Sequence, residues 1–192
     1  MARVRDILID EVTDDVKPIY KKFSEEYGPF LNQVKIFAHR PTAVKHIMGL
    51  LLELKDEQVL PKRYLEISLV TVSKLNECRY CVGHHTPRLI EQGFNPETVA
   101  AILETTVPGF NEVDLLVRDF AGQVTENANR MHEEIFERMR VHFSEEQIVE
   151  LTLRTALCGF FNRFNDALMI DVEEGVIEDM LKQGSSINEL PD

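Results

Sequence analysis

A chain of 192 residues, 44% hydrophobic and 28% charged, has the balance of a water-soluble globular protein and excludes a disordered or fibrous one. At this length roughly 70% of the unfolded surface can be buried, so a core can close without disulfides or structural metal. With 21 Lys plus Arg against 33 Asp plus Glu the net charge is −12, which repels phosphate backbones and anionic lipid, so neither nucleic acid nor membrane is expected as a partner.

The opening stretch, Met1 to Asp10, carries Arg3, Arg5 and Asp6 and lacks the apolar centre of a signal peptide, so a cytoplasmic location is expected. The longest apolar stretch, Ile47 to Leu52 with Gly49 counted in, falls far short of the ~20 residues that span a bilayer. An odd number of cysteines argues against a disulfide framework and directs attention to the one close pair, Cys78 and Cys81.

In chain order, the pattern predicts a first helix over Val16 to Tyr27, stopped by Gly28 and Pro29, and a second opening at Pro41 with Val44, Ile47, Met48, Leu51 and Leu52 turned inward. Pro61 suits the first position of a third helix, where its missing N–H is harmless, and Leu65, Leu69 and Val72 follow at helical spacing. The β-branched letters of Ile67 to Val72 make a strand the alternative there. Past the cysteines a helix should run to Gln92 and stop at Gly93. Asn95 with Pro96 and Glu97, and Asn111 with Asp114, read as further helix starts, and Ser144 with Gln147 as a capping box before Ile148, Leu151 and Leu157. The charges of Asn127 to Arg140 read as a solvated helix face on which His132 has no special role. The expectation is an all-α single domain of about eight to ten helices, with N-terminal helices over 1–55, a motif-bearing unit over 56–105 and a C-terminal unit over 106–192. Leu65 to Leu69 echoes Val149 to Leu153, an offset that carries Cys78 onto Asn162 and Cys81 onto Asn165 and suggests two related helical units.

The segment Asn76-Glu77-Cys78-Arg79-Tyr80-Cys81-Val82-Gly83-His84-His85 holds the strongest chemical signal. On a helix beginning near Asn76, Cys81 and His85 lie about 300° and 340° around from Cys78, so all three share one face. Helical residues three apart have Cα atoms ~5 Å apart, within disulfide range, and a helix N-terminus favours thiolate over thiol. His85 can serve as base to Cys81, while Cys78, nearer the helix start, should be the more accessible sulfur and exchange with a partner. Glu66 interrupts an apolar run, where a carboxylate is costly unless used; accepting from one His85 nitrogen, it would fix the tautomer of the other. His84, 100° away from His85 by helical rotation, is assigned to the surface or an interface. Cys158 reads as a small buried hydrophobe, and Phe160, Phe161 and Phe164 with Phe136 and Phe143 as core or subunit contact more than a cofactor box.

The pattern of Glu66, Cys78, Cys81 and His85, extended by Leu60-Pro61 before it and Gly93-Phe94 after it, resembles the alkyl hydroperoxidase D and carboxymuconolactone decarboxylase superfamily in its peroxidase-related branch. The resemblance implies an all-α protein assembling into dimers, trimers or hexamers, and a Cys pair that reduces hydroperoxides and is recharged by a dithiol or lipoylated carrier protein. Such a cycle requires no metal and no flavin cofactor. Tyr80 departs from alkyl hydroperoxidase D, which has a His before its second motif cysteine. Three other readings stand beside this one: zinc held by the two cysteines, His85 and Glu66; an acid/base enzyme of the decarboxylase kind; and a non-catalytic oligomerisation module.

Overall fold

The computed structural model describes residues 2–28, 30–187 and 190–191, and every regular element among them is helical. A 3-10 turn at Ile9–Glu11 precedes α1 (Lys17–Lys22), which continues through a π-helical turn at Phe23–Tyr27. Then come α2 (Leu31–Phe37), α3 (Pro41–Ala43) and, through a second π turn at Val44–Met48, α4 (Gly49–Glu57). The motif lies on α5 (Lys62–Leu75) and α6 (Arg79–Ile90), followed by α7 (Pro96–Ala100), α8 (Glu112–Asn127), α9 (Glu133–His142), α10 (Glu145–Leu168) and α11 (Glu174–Lys182).

Local chemistry explains most of these boundaries. Gly28, at φ 141°, ends the first helical stretch in backbone geometry that disfavours a side chain, and a Cβ there would overlap the Arg88 guanidinium. Pro29, expected to share that stop, lies outside the described residues. Asn111 Oδ1 accepts from the N–H groups of Val113 and Asp114, each at 2.9 Å, and Ser144 with Gln147 forms the anticipated capping box of α10. Gly93, at φ 90°, provides the left-handed turn after α6, although that helix ends at Ile90, two residues before the expected Gln92. Pro61 sits at the N-cap of α5, one place earlier than expected.

The strand alternative for Ile67 to Val72 is not realised; the segment lies inside α5 and is buried on all sides. A helix can bury its Ser and Thr here because their hydroxyls donate to the preceding turn: Ser68 to Leu65 O at 2.7 Å, Thr71 to Ile67 O at 2.7 Å and Ser73 to Leu69 O at 2.6 Å. Helix α5 is the central element and packs on α8, α6 and α10. Two apolar clusters flank it. One, with Phe120, Leu116, Met139 and Leu151, joins α5 to α8, α9 and α10; the other, with Phe23, Val34, Phe37, Val44 and Met48, lays the N-terminal helices over the start of α6. Each fully buried Phe or Leu contributes about 1.5–3 kcal/mol over leaving it exposed. The second cluster includes Cys78, Tyr80 and Cys81, so the N-terminal helices roof the cysteine pair. Helix α2 had no sequence expectation, because its flanking Pro29 and Phe30 carry no capping signal. No helix among the described residues is long and apolar enough to cross a membrane.

Candidate active site

Helix α6 begins later than the spacing implied. Asn76 and Glu77 form a tight turn, with Glu77 left-handed at φ 54°, and Cys78 is the N-cap residue at φ −82°, ψ 100°. The pair therefore occupies the N-cap and N3 positions, the two places whose side chains turn toward each other in a capping box. Here Cys78 makes no capping bond to the backbone, and its thiol influences both Cys81 and the Asp166 carboxylate of α10. Neither cysteine is exposed: Cys78 is 0% and Cys81 3% accessible, so Cys78 is not the more accessible sulfur. The helix N-terminus also does not win at Cys81. The neighbouring Cys78 thiol, and then burial, push its thiol well above the usual range, so Cys81 holds its proton.

Glu66 and His85 meet as expected. His85 Nδ1 lies 2.9 Å from Glu66 Oε2. A carboxylate can only accept, which assigns the hydrogen to Nδ1 and leaves the Nε2 lone pair free. Burial alone would raise the Glu66 carboxyl, but His85, Arg88 and Lys62 outweigh it and hold it below the usual carboxylate range. Burial pushes His85 below its ordinary 6.5, against the pull of Glu66, and the Arg88 cation pushes the same way. The result at neutral pH is an ionised carboxylate, 2% exposed, beside a neutral imidazole. Helix positions bring this about: Glu66 is on α5, His85 on α6, and the two helices pack side by side.

Cys81 and His85 line one small cavity of about 40 Å³ with Phe23, Tyr27, Phe30, Arg154 and Phe161 among its walls. A separate outer groove of about 920 Å³ is bounded by Asn76, Glu77, Arg79, Tyr80, Asp166 and Met169, and neither cysteine lines it. Asn165 Nδ2 donates to Cys81 Sγ at 3.2 Å while its Oδ1 accepts from Gln33 Nε2 at 2.9 Å. This contact joins the two positions that the internal echo superimposes, 84 residues apart.

His84 is not at the surface. It is buried, stacked on Phe30 with ring centroids 4.4 Å apart, donates from Nδ1 to Tyr80 O at 2.8 Å and places Nε2 2.8 Å from Glu173 Oε2. Residues of α2 and the start of α11 wrap the side of α6 that helical rotation leaves open, which local spacing could not reveal. Tyr80 points the same way: its hydroxyl donates to Glu173 Oε1 at 3.0 Å and accepts from Gln33 N at 3.3 Å. Cys158 is buried as expected, contacts Ser73 and Asn162, and its thiol is pushed up to about 12 by burial. Of the five Phe residues singled out, Phe161 lines the cavity, while Phe136 and Phe143 belong to the other core. His132 is exposed. No three His, Cys, Asp or Glu side chains among the described residues converge in a way that could hold a metal ion.

Sequence reasoning missed Arg154, Tyr27 and Asn165. Arg154 had a signal: it interrupts the apolar run Leu151 to Leu157, the same anomaly that singles out Glu66.

Residues 41–110 match the model of the carboxymuconolactone decarboxylase family. An uncharacterized protein of Bacillus subtilis (strain 168), YdfG, is 26% identical over 110 residues, which is 54% of this chain and 71% of that protein. The structure of an uncharacterized peroxidase-related protein from Ralstonia eutropha JMP134, an alkylhydroperoxidase AhpD core, aligns at TM-score 0.74 and 21% identity over 91% of this chain and 94% of that one. The debrominase Bmp8 in complex with 2,3,4-tribromopyrrole aligns at TM-score 0.76 and 18% identity over 95% and 99%. At such identities the solved structures establish the fold, and the family match covers the segment that carries Glu66, Cys78, Cys81 and His85. Residues 41–110 are thus similar to the carboxymuconolactone decarboxylase family, and the chain as a whole shares the fold of these solved structures.

Proposed function

We propose that this protein is a thiol peroxidase in which Cys81 attacks a hydroperoxide, Cys78 resolves the product and an external dithiol restores the pair. The observation that carries the reading is a neutral His85, oriented by Glu66, on the same cavity wall as the protonated Cys81. A protonated thiol is a weak nucleophile, and a neutral imidazole with a free Nε2 is the base that can take its proton as a peroxide arrives. The thiolate attacks the terminal oxygen, the O–O bond breaks toward an alcohol or water, and Cys81 becomes a sulfenic acid. Cys78, at the N-cap three residues before it, attacks that sulfur, expels water and closes a disulfide. A dithiol or lipoylated protein reduces it by exchange, and we assign its approach to the outer groove lined by Glu77 and Arg79, the chain neighbours of Cys78, and by Asp166. No cofactor enters this cycle. A cytoplasmic, homo-oligomeric protein suits it.

The debrominase relative invites a second use of the same thiols, but size argues against it. A cavity of about 40 Å³ accommodates about three water-sized positions, which admits a small peroxide and not a tribrominated ring. Single Cys78→Ser and Cys81→Ser variants, assayed for peroxide consumption with a dithiol donor, should each lose turnover. Cys78→Ser should still consume about one equivalent of peroxide per chain as Cys81 stops at sulfenic acid. Full turnover in both variants would eliminate the dithiol cycle.

A further inference from the structure

We propose that the cavity beside Cys81 is an oxyanion site whose charged pole is Arg154, and that the peroxides it accepts best are small peroxyacids, whose reduction leaves a carboxylate. The proposal rests on the dithiol reading of the same site and names its substrate class.

Arg154 projects from the middle of α10 into an otherwise apolar neighbourhood and is 4% exposed. Its Nη2 donates to the Tyr27 hydroxyl at 3.1 Å, but Nη1 is buried with no hydrogen-bond partner. Glu150, one turn earlier, feels the guanidinium charge without bonding to Nη1. A buried guanidinium keeps its charge at any relevant pH, so it cannot relieve an unpaired N–H by losing a proton. Burying such a donor is expensive unless something completes it. Arg154 lines the same cavity as Cys81 and His85, so whatever completes it sits where the chemistry occurs. Tyr27 adds a second donor: its oxygen accepts from Arg154, burial holds the phenol protonated, and its own hydrogen is available. Two convergent donors, one of them cationic, match the two oxygens of a carboxylate. Gln33 apart, the remaining walls, Phe23, Phe30 and Phe161 among them, are apolar and strengthen that attraction. Room for about three water-sized positions limits the ligand to a carboxylate with a short substituent.

The reaction balances without a further reactant. The Cys81 thiolate, its proton on His85, attacks the terminal oxygen of RC(O)OOH. An S–O bond forms, the O–O bond breaks, and the carboxylate leaves with the electron pair, its new charge facing Arg154. Cys78 then converts the sulfenic acid to a disulfide with release of water, and the external dithiol supplies the two electrons.

The first test needs no variant and no turnover. Acetate should slow alkylation of reduced Cys81 by iodoacetamide, followed by peptide mass spectrometry, while acetamide, uncharged and of the same size, should not. Arg154→Met should abolish the protection, and Arg154→Lys should retain part of it. In turnover, the ratio of kcat/KM for peracetic acid to that for hydrogen peroxide should fall about tenfold or more in Arg154→Met, the loss expected for a hydrogen bond to a charged group. Equal protection by acetate and acetamide, or an unchanged ratio in Arg154→Met, would overturn the proposal. Acetate protection in a protein that reduces neither peroxide sinks the peroxidase reading and leaves the anion site standing.

Discussion

Replacing Glu66 with Gln removes one charge and almost no volume from the site. Glu66 Oε2 accepts from His85 Nδ1 at 2.9 Å in a buried setting, and in the proposed cycle it both orients the ring and stabilises the imidazolium formed when His85 takes the Cys81 proton. A hydrogen bond to a charged group is worth about 1.5–3 kcal/mol and one between neutral groups about 0.5–1.5. The difference, about 1.4 kcal/mol, is tenfold in rate. Glu66→Gln should therefore lower kcat/KM for peroxide about tenfold, while His85→Asn, which removes the base itself, should lower it by about 10²–10⁴. The pH profile separates this role from a structural one. The Glu66 charge pulls the His85 pKa upward against burial, so its loss must move the acid limb to lower pH even as the plateau falls. Stopped-flow peroxide consumption from pH 5 to pH 9, with circular dichroism to verify the fold, measures both. A Glu66→Gln enzyme with wild-type rate and an unmoved acid limb refutes the assignment of Glu66 as the residue that positions His85.

The remaining predictions concern stability. Asp114, fully buried, accepts from Arg63 Nε and Nη2 at 2.8 and 2.7 Å and also caps the Asn111 N–H, so Arg63→Met strands a buried carboxylate. Arg63 is 33% exposed, which places the expected cost near 3 kcal/mol, read as a lower urea midpoint at constant m-value. Gly28→Ala combines strained backbone with displacement of the Arg88 guanidinium and should cost about 1–3 kcal/mol; a thermal midpoint within a degree of wild type would contradict it. The buried groups also set the pH range of stability. His85 titrates below its ordinary 6.5 when folded, so the unfolded chain binds the proton first and the contribution present above pH 6.5 drains away as pH falls. Cys81 titrates above its ordinary 9.0 when folded, so its contribution is complete below pH 9.0 and is lost as pH rises further. Cys81→Ser should flatten the alkaline decline, and an identical decline in that variant would show that another group causes it.

The helices and the Glu66–His85 pairing were legible in the chain because their causes are local or simply spaced. Asn111, Ser144 and Gly93 announce helix ends through their own side chains or lack of one, and a carboxylate in an apolar run implies a partner before any partner is seen. What surrounds α6 was not legible. Spacing gave His84 an angle of 100° from its neighbour but could not say that Phe30 and Glu173, 54 residues before it and 89 after it, would close that side. Asn165 reaches Cys81 across 84 residues of sequence, Gln33 holds Asn165 across 132, and Arg154 meets Tyr27 across 127. The proton state of Cys81 likewise turned on a one-residue detail, Cys78 serving as the cap and not the first turn, together with burial under the N-terminal helices. A sequence specifies which groups need a partner; only the packing of distant helices decides which of them find one and which, like Arg154 Nη1, are left without.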